Sequence, residues 1–434
     1  MGLFDPVDLH LPADAAAVDA LHASRLPRAI EQARRAPWYK GKLDGIDLER
    51  IADPGTGGAE WAKVPILDKE MLREVGVERF NDQFLIPDHP PIAEYWRSGG
   101  ATGVPLFYPR SREDMAWTMV QLCRCWSLIG IDPADVAHVS FPLGVHPAGH
   151  LWARSANASG AGVMWAGSGA NTPSQTQLDL IQMQQPTVWM GMPSYGLHLA
   201  YLAAARGLDL ASGSVRKVLV GAEALSDAKR EKLERMWGAE VHDLFGMTEV
   251  GIPGGDSLHH EGFHIWTDQF YFEVVDEETG QPVPDGAPGL MLITPLYTNH
   301  ATPFLRWSSG DIVTISHEHS LEGAFGVFPV MRHAHRTAGF WKVRGININH
   351  AELEDLLFSM SAINDFRVLA RTADALENLA VEIESDTPDV VGEIVTTIKR
   401  VFEITPEVIV LEQGSLAAIF ESSVKAPRFV DERE

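Results

Sequence analysis

Three features of the sequence predict an α/β protein. It has a large N-terminal domain, combining a parallel-sheet α/β part with a β-rich subdomain, and a small α/β C-terminal domain. From about residue 110 to residue 245 short apolar segments alternate with helical patterns, which implies a largely parallel sheet covered on both faces. Beyond residue 262 the texture turns β-rich, with turn-forming residues between the strands. From residue 336 onward a smaller set of helices and strands follows. The domains expected are therefore 1–335 and 336–434.

Residues 13–50 and 67–80 carry apolar positions at mixed three and four spacing and read as helical, with Pro punctuation. Arg112–Ile129 reads as a helix and Ala137–Phe141 as an apolar strand. Gly162–Ala166 is a strand candidate, followed by a polar helix at Gln175–Gln184, a strand at Thr187–Met192 and a helix at Tyr195–Ala205. Val215–Val220 is a strand, Asp227–Trp237 a helix capped by Ser226, and Glu240–Phe245 a strand. In the β-rich part Phe270–Val275, Gly289–Thr294 and Gly310–Ile315 are strands. Thr279-Gly280 and the run Pro284-Asp285-Gly286-Ala287-Pro288 separate them. The C-terminal domain has helices at Ala351–Ser359 and Val390–Phe402 and strands at Asp365–Ala370, Leu379–Ile383 and Glu407–Leu411.

Composition narrows the function classes. With 35 Lys+Arg against 59 Asp+Glu the net charge is −24, which argues against gripping a nucleic-acid backbone, since that requires Lys and Arg to neutralise phosphates. The longest uncharged stretches, Ser155–Leu178 and Leu180–Ala205, are broken by Asn, Gln, Ser and Pro, so no membrane span is expected. Two cysteines, Cys123 and Cys125, cannot build a disulfide framework. The acidic N-terminal segment lacks the basic start and apolar core of a signal peptide, so a cytoplasmic location is expected.

Several segments could carry chemistry. Arg97-Ser98-Gly99-Gly100-Ala101-Thr102-Gly103-Val104-Pro105 can curl its N–H groups around an anion, or be a plain Gly-rich turn. Gly221-Ala222-Glu223 and Asp243-Leu244-Phe245-Gly246-Met247-Thr248-Glu249 each lie at a strand end, where ligands of open α/β sheets collect. Thr248 can donate to a phosphate oxygen and Glu249 can hold a hard cation such as Mg²⁺. Phe245 offers an aromatic face, though a core position and a solvated Glu249 are equally open. Asp311, after a Gly turn, can grip a sugar diol with its two acceptor oxygens.

The order of these segments resembles the adenylate-forming superfamily, and within it the phenylacetate–coenzyme A ligase type. Ser98–Pro105 resembles the family's phosphate loop, S-S/G-G-T-T-G-K-P, and Met192-Pro193-Ser194-Tyr195 its T-P-S-Y segment. Gly221-Ala222-Glu223 and Phe245–Glu249 resemble the adenine and magnesium segments, and Arg306–Asp311 the Y-R-T-G-D ribose motif. Leu416 followed by Lys425, Arg428, Asp431 and Arg433 resembles the terminal L-P-R…G-K…R-V-I-D-x-R signature. There are departures. Val104 stands where the loop has Lys, Ala101 where it has Thr, and Phe245 where the family stacks adenine on Tyr. His335-Arg336-Thr337-Ala338-Gly339 replaces the hinge G-R-x-D-D.

The resemblance implies that ATP activates a carboxylic acid as an acyl-adenylate, and that the acyl group then passes to coenzyme A. It implies that Ser98, Gly99, Gly100, Ala101, Thr102 and Gly103 hold the β- and γ-phosphates. Gly221, Ala222, Glu223, Asp243, Phe245, Gly246 and Met247 then form the adenine side. Thr248 faces the α-phosphate, Glu249 takes Mg²⁺, Asp311 the ribose, and Arg336 the ribose or the domain junction. Lys425 bridges the carboxylate and the α-phosphate, carried by a mobile C-terminal domain, while Arg344 and Gly345 line the coenzyme A tunnel. His146 faces the acid beside Phe141. Trp189 and Tyr195, near Trp165, Met190 and Met192, suit an aromatic or arylacetic acid, although each also fits an ordinary core. Relatives of this type also imply a homodimer. For His264, His317 and His319, with Asp256 or His259, a structural zinc is one reading and a lost metal site the other. Two other outcomes stay open: an amine or carrier protein as acceptor, or a lapsed binding protein of the same fold.

Overall fold

The computed structural model describes residues 7–98, 106–336, 340–373, 376–387, 390–416, 419 and 428–433. The chain divides into two compact units. One holds Met1–Asp135, Leu143–Val163 and His242–Arg336; the other holds Val136–Pro142, Met164–Val241 and Thr337–Glu434.

The first unit contains the β-rich part. Its strands run in the order Leu67–Asp68, Trp307–Ser308, Gly289–Pro295, Asp311–Ser316, Val330–Arg336, Phe263–Ile265, Gly251–Gly255, and then Glu240–Met247, most of which belongs here. Phe270–Val275 pairs antiparallel with Gly289–Pro295 along its whole length. Ile265, Met291, Val313 and Met331 are fully buried on one face of this sheet, where Phe245, Met247 and Phe263 pack on them. The N-terminal helix Ala15–Ala33, capped by Asp14, turns Leu26, Ile30 and Ala33 toward Leu296, Tyr297 and Leu305.

The helix Arg112–Leu128 starts in a capping box: Ser111 Oγ accepts from the Asp114 N–H while the Asp114 carboxylate accepts from the Ser111 N–H. It lies close on the glycine-rich strand Gly251–Gly255. A Cβ at Gly255 would sit 2.8 Å from Cys125 Sγ, and Gly251, at φ +120°, would drive one to 2.8 Å from Gln121 Oε1. Farther along this helix the buried Arg124 meets both oxygens of Asp268 at 2.7 Å.

The second unit contains the parallel strands Val136–Val139, Val188–Gly191 and Lys217–Gly221, with Val188–Gly191 in the middle. The helices Ser174–Gln184, Pro193–Ala205 and Asp227–Trp237 accompany them. Its C-terminal part begins with the hairpin Phe340–Val343/Ile346–Asn349 and the helix His350–Ser359. A four-stranded sheet follows in the order Glu407–Leu411, Leu376–Glu384, Asp365–Ala373, Phe429–Asp431, with the helix Val390–Phe402 between strands.

Helix Asp227–Trp237 joins the two parts of this unit. Lys229 Nζ donates to Glu354 Oε1 at 2.6 Å and to Ala224 O at 3.0 Å. Lys232 Nζ reaches the Ile363 and Asn364 carbonyls. Desolvation lowers the Lys232 ammonium to about 8.

The alternating middle of the chain follows the sequence reading to within a residue or two at most ends. Residues 13–50 do not form a continuous helix: they break into Ala15–Ala33, a 3₁₀ turn at Pro37–Tyr39, and Leu48–Ala52. The strand Gly251–Gly255 escaped the reading, because glycines signal turns in a sequence and here serve a close helix approach.

Candidate active site

In the first unit, strands Glu240–Met247 and Gly251–Gly255 form a hairpin, with Leu244 opposite Gly255 and a register shift between Phe245 and Met247. Thr248 and Glu249 are half-buried at its turn. Both of their carbonyls accept from the guanidinium of the fully buried Arg110, whose Nη2 lies 2.6 Å from Thr248 O and 2.8 Å from Glu249 O. Arg110 Nη1 donates to Asn299 Oδ1, and Asn299 Nδ2 donates back to Glu249 O at 2.8 Å. Thr298 Oγ1 holds the next carbonyl, Val250 O, at 3.2 Å. Arg110 also lies over the Trp96 ring, 4.5 Å from its centroid. Phe245 is half-buried against Phe263, Gly246 is exposed, Met247 is half-buried and Asp243 is buried.

Ser98 closes the hairpin Ile92–Arg97/Phe107–Ser111: its N–H donates to Leu106 O at 3.0 Å and its Oγ accepts from Leu106 N at 3.1 Å. The bases of the phosphate-loop segment are thereby tied together, while Gly99, Gly100, Ala101, Thr102 and Gly103 lie outside the described residues. Next to Ser98, Arg97 Nη1 lies 3.4 Å from His146 Nε2, and His146 immediately precedes the helix Pro147–Ala158 without a side-chain capping bond. Asp311 is buried; it accepts from Ser309 Oγ and faces His333 Nε2 at 2.9 Å. Arg336 pairs with Asp311 in register across the adjoining strands.

In the second unit, Gly221 ends its strand and Ala222 takes a left-handed φ of +69°, costly for a residue with a Cβ. Ser194 holds Glu223 at both oxygens, its N–H at 3.1 Å and its Oγ at 2.7 Å. Gln177, fully buried, is a polar hub. Its Oε1 faces Ser140 Oγ at 2.7 Å and His138 Nε2 at 3.1 Å, while Nε2 serves Gly167 O, Thr172 O and the Tyr195 hydroxyl. Tyr195 thus has its hydroxyl inside a buried network, shared with Ser174 at 3.0 Å. Phe141, the residue after Ser140, is buried.

Trp189 requires a correction. It has no exposed surface, stacks on Trp237 at 5.2 Å, and occupies the space a side chain at Gly191 or Gly196 would need. It is a core residue, not the wall of an acid pocket, because the strand alternation turns it toward the helices.

Arg344 (φ +51°) and Gly345 (φ +83°) form the two-residue turn of the C-terminal hairpin. Arg344 is held by its own domain, with its N–H 2.7 Å from Glu377 Oε2. Lys425 lies outside the described residues. Arg428, close to it in sequence, is buried, pairs with Asp365, and feels the charge of Glu223.

The zinc reading of His264, His317 and His319 is not supported. Both ring nitrogens of His264 face protein oxygens, Phe328 O at 3.4 Å and Ser257 Oγ at 3.2 Å. Burial lowers its pKa, His317 is exposed, and among the described residues none of the three belongs to a group able to share a metal ion.

Arg110, Asn299, Gln177 and His333 escaped the sequence reading. Each acts through a partner far away in the chain, so only the fold reveals it.

A turn presenting a carboxylate and a hydroxyl provides hard oxygen donors for a divalent cation and a phosphate. A buried acid at a strand start is suited to a sugar diol. Comparison with known proteins agrees with this chemistry. Residues 87–295 match the AMP-binding enzyme family. Phenylacetate–coenzyme A ligase from Thermus thermophilus is 28% identical over 381 residues, covering 85% of this chain and 82% of the relative. That from Escherichia coli is 29% identical over 387 residues, covering 86% and 84%. A crystal structure of 2-hydroxyisobutyryl-CoA ligase in its post-adenylation state shares the fold, with a TM-score of 0.81 at 22% identity over 96% of this chain and 89% of that one. Residues 87–295 thus carry an AMP-binding enzyme domain. With the relatives above, that match supports an adenylate-forming enzyme of the phenylacetate–coenzyme A ligase type.

Proposed function

We propose that the protein activates an aromatic or arylacetic acid with ATP and transfers the acyl group to coenzyme A. The observation that carries this reading is kinship with phenylacetate–coenzyme A ligases along more than four-fifths of their length. In the first step a carboxylate oxygen attacks the α-phosphorus and pyrophosphate leaves. In the second the coenzyme A thiolate attacks the acyl carbon and AMP leaves.

Both reactants of the first step are anions, so positioning and charge neutralisation dominate. Thr248 donates its hydroxyl to the α-phosphate, and Asp311 accepts from the ribose hydroxyls. Phe245 supports the adenine, and the Gly221–Glu223 backbone also serves the adenine. The donor set at Glu249 and Thr248 is all oxygen and fits Mg²⁺, which neutralises phosphate charge when bound. Lys425 supplies a compact cation between carboxylate and α-phosphate, then withdraws with the 336–434 domain so that coenzyme A enters past Arg344 and Gly345. His146, with Arg97 behind it, faces the acid, and Phe141 and Tyr195 shape its surroundings. A cytoplasmic homodimer completes the reading; among the described residues no helix is long and apolar enough to cross a membrane.

The test is acid-dependent pyrophosphate release from MgATP across aryl, arylacetic, fatty and amino acids, with and without coenzyme A. Release with aryl or arylacetic acids and accelerated by coenzyme A is expected. Release indifferent to thiol would move the acceptor to an amine or carrier protein, and silence across the panel would overturn the reading.

A further inference from the structure

Arg110 occupies an unusual electrostatic position. It is fully buried, yet among the described residues none of its hydrogen-bonded partners is a carboxylate: they are the Thr248 and Glu249 carbonyls and the Asn299 amide oxygen, with Nε left unpartnered among them. A guanidinium desolvated in this way is costly unless its donors are satisfied and an anion lies near. Asp114 and Glu249 act on it through space.

Its second partner is equally constrained. Asn299, at φ +65°, precedes His300, whose N–H and Nδ1 lie 3.1 Å and 2.6 Å from Asp114 Oδ1. Asp114 is in turn fixed by its capping box with Ser111, the residue after Arg110. The Thr248–Glu249 turn therefore rests on a closed circuit: Arg110 to both carbonyls, Arg110 to Asn299, Asn299 back to Glu249, and His300 to Asp114. The same arginine lies over Trp96, in the hairpin that Ser98 and Leu106 close beneath the phosphate-loop segment.

We propose that Arg110 and Asn299 are positioning residues for nucleotide activation, holding the Thr248–Glu249 turn so that its carboxylate and hydroxyl meet the metal–polyphosphate, and tying that turn to the hairpin that carries the phosphate loop. The inference rests on the functional reading above. It also gives a reason for tolerating Val104: a fixed cation already lies beneath the turn, so the site does not depend on a loop lysine for its only local positive charge.

The experiment measures Mn²⁺ binding by electron paramagnetic resonance in the presence of α,β-methylene ATP, with adenylation and thioester formation from synthetic adenylate assayed separately. Variants are Arg110→Lys, which keeps charge but not the forked donors, and Asn299→Asp, which keeps the acceptor for Arg110 but loses the donor to Glu249 O. Arg110→Met is informative if it folds; the other two carry the test if it does not. Disturbing a residue that orients a metal ligand typically weakens metal affinity or activity by about 10- to 100-fold. Both conservative variants are expected to weaken Mn²⁺ binding in that range, and the loss of rate falls on adenylation rather than on thioester formation.

Mn²⁺ binding within twofold of wild type in both Arg110→Lys and Asn299→Asp would overturn the proposal. So would equal loss in the two half-reactions with unchanged Mn²⁺ affinity, the signature of a merely structural role. Wild type that makes no adenylate from any acid, with variants that still weaken Mn²⁺–nucleotide binding, would leave the positioning role intact and remove the acid-activation reading.

Discussion

Glu354→Gln cuts the ion pair that seats helix His350–Ser359 on helix Asp227–Trp237. Lys229 is almost wholly buried and would keep the Ala224 carbonyl at 3.0 Å and a neutral amide oxygen, but lose its counter-charge. Removing one partner of a buried pair costs about 3–5 kcal/mol, because the other charge is left desolvated. Glu354 keeps slight exposure, so the lower end applies, and about 3 kcal/mol shifts the docked population by roughly 100-fold. Docked, this C-terminal part brings Arg428 under the influence of Glu223, and the adenylation role proposed for Lys425 requires that docked state. Adenylation, followed by acid-dependent ATP–pyrophosphate exchange, should therefore fall by up to about 100-fold. Thioester formation from synthetic adenylate should not fall in parallel. The double change Lys229→Met with Glu354→Leu removes both charges and should recover most of the loss, since an apolar pair of similar volume often replaces a buried ion pair at no net cost. Exchange within twofold of wild type in Glu354→Gln would refute the seating argument, and a double variant worse than the single one would refute its electrostatic cause.

Three further outcomes are expected. Lys425→Ala should nearly abolish adenylate formation while sparing thioester formation from synthetic adenylate; equal loss of both would sink the moving-domain mechanism. Trp189→Phe should cost less than the about 3–5 kcal/mol of a Trp→Ala truncation, because it also removes an indole N–H that lacks a partner among the described residues. It should leave the order of preferred acids unchanged, and an altered order would return Trp189 to the pocket. For His300, burial pulls the imidazole down but the Asp114 carboxylate outweighs it and raises its pKa. Its proton then stabilises the fold, fully below about pH 6.5 and progressively less as pH climbs through the raised value. The urea midpoint of His300→Gln should thus lie below wild type at pH 5.5 and converge on it at high pH; a pH-independent difference contradicts the assignment.

Much of this protein is legible in its residues taken in order. Strands such as Val188–Gly191 and Lys217–Gly221 declare themselves because local apolar runs and helix caps act within a few positions. The segments around Ser98, Glu223, Thr248–Glu249, Asp311 and Lys425 carry their family's pattern even where single residues, such as Val104, depart from it. Tertiary structure decided which side chains join polar networks and which fill the apolar core. Trp189 and Tyr195 look alike as aromatic residues near strand ends, yet the pleat turns Trp189 onto Trp237, while the helix Pro193–Ala205 brings the Tyr195 hydroxyl to Gln177. Of the three histidines that spacing offered to zinc, His264 and His319 meet edge to face at 5.0 Å, but the packing turns the His264 ring nitrogens to Ser257 and Phe328 instead of a shared metal position. Arg110 and Asn299 hold one turn from positions 189 residues apart. Periodicity and motif order are local signals, whereas a hydrogen bond across such a separation exists only once the chain has folded and excluded water from it.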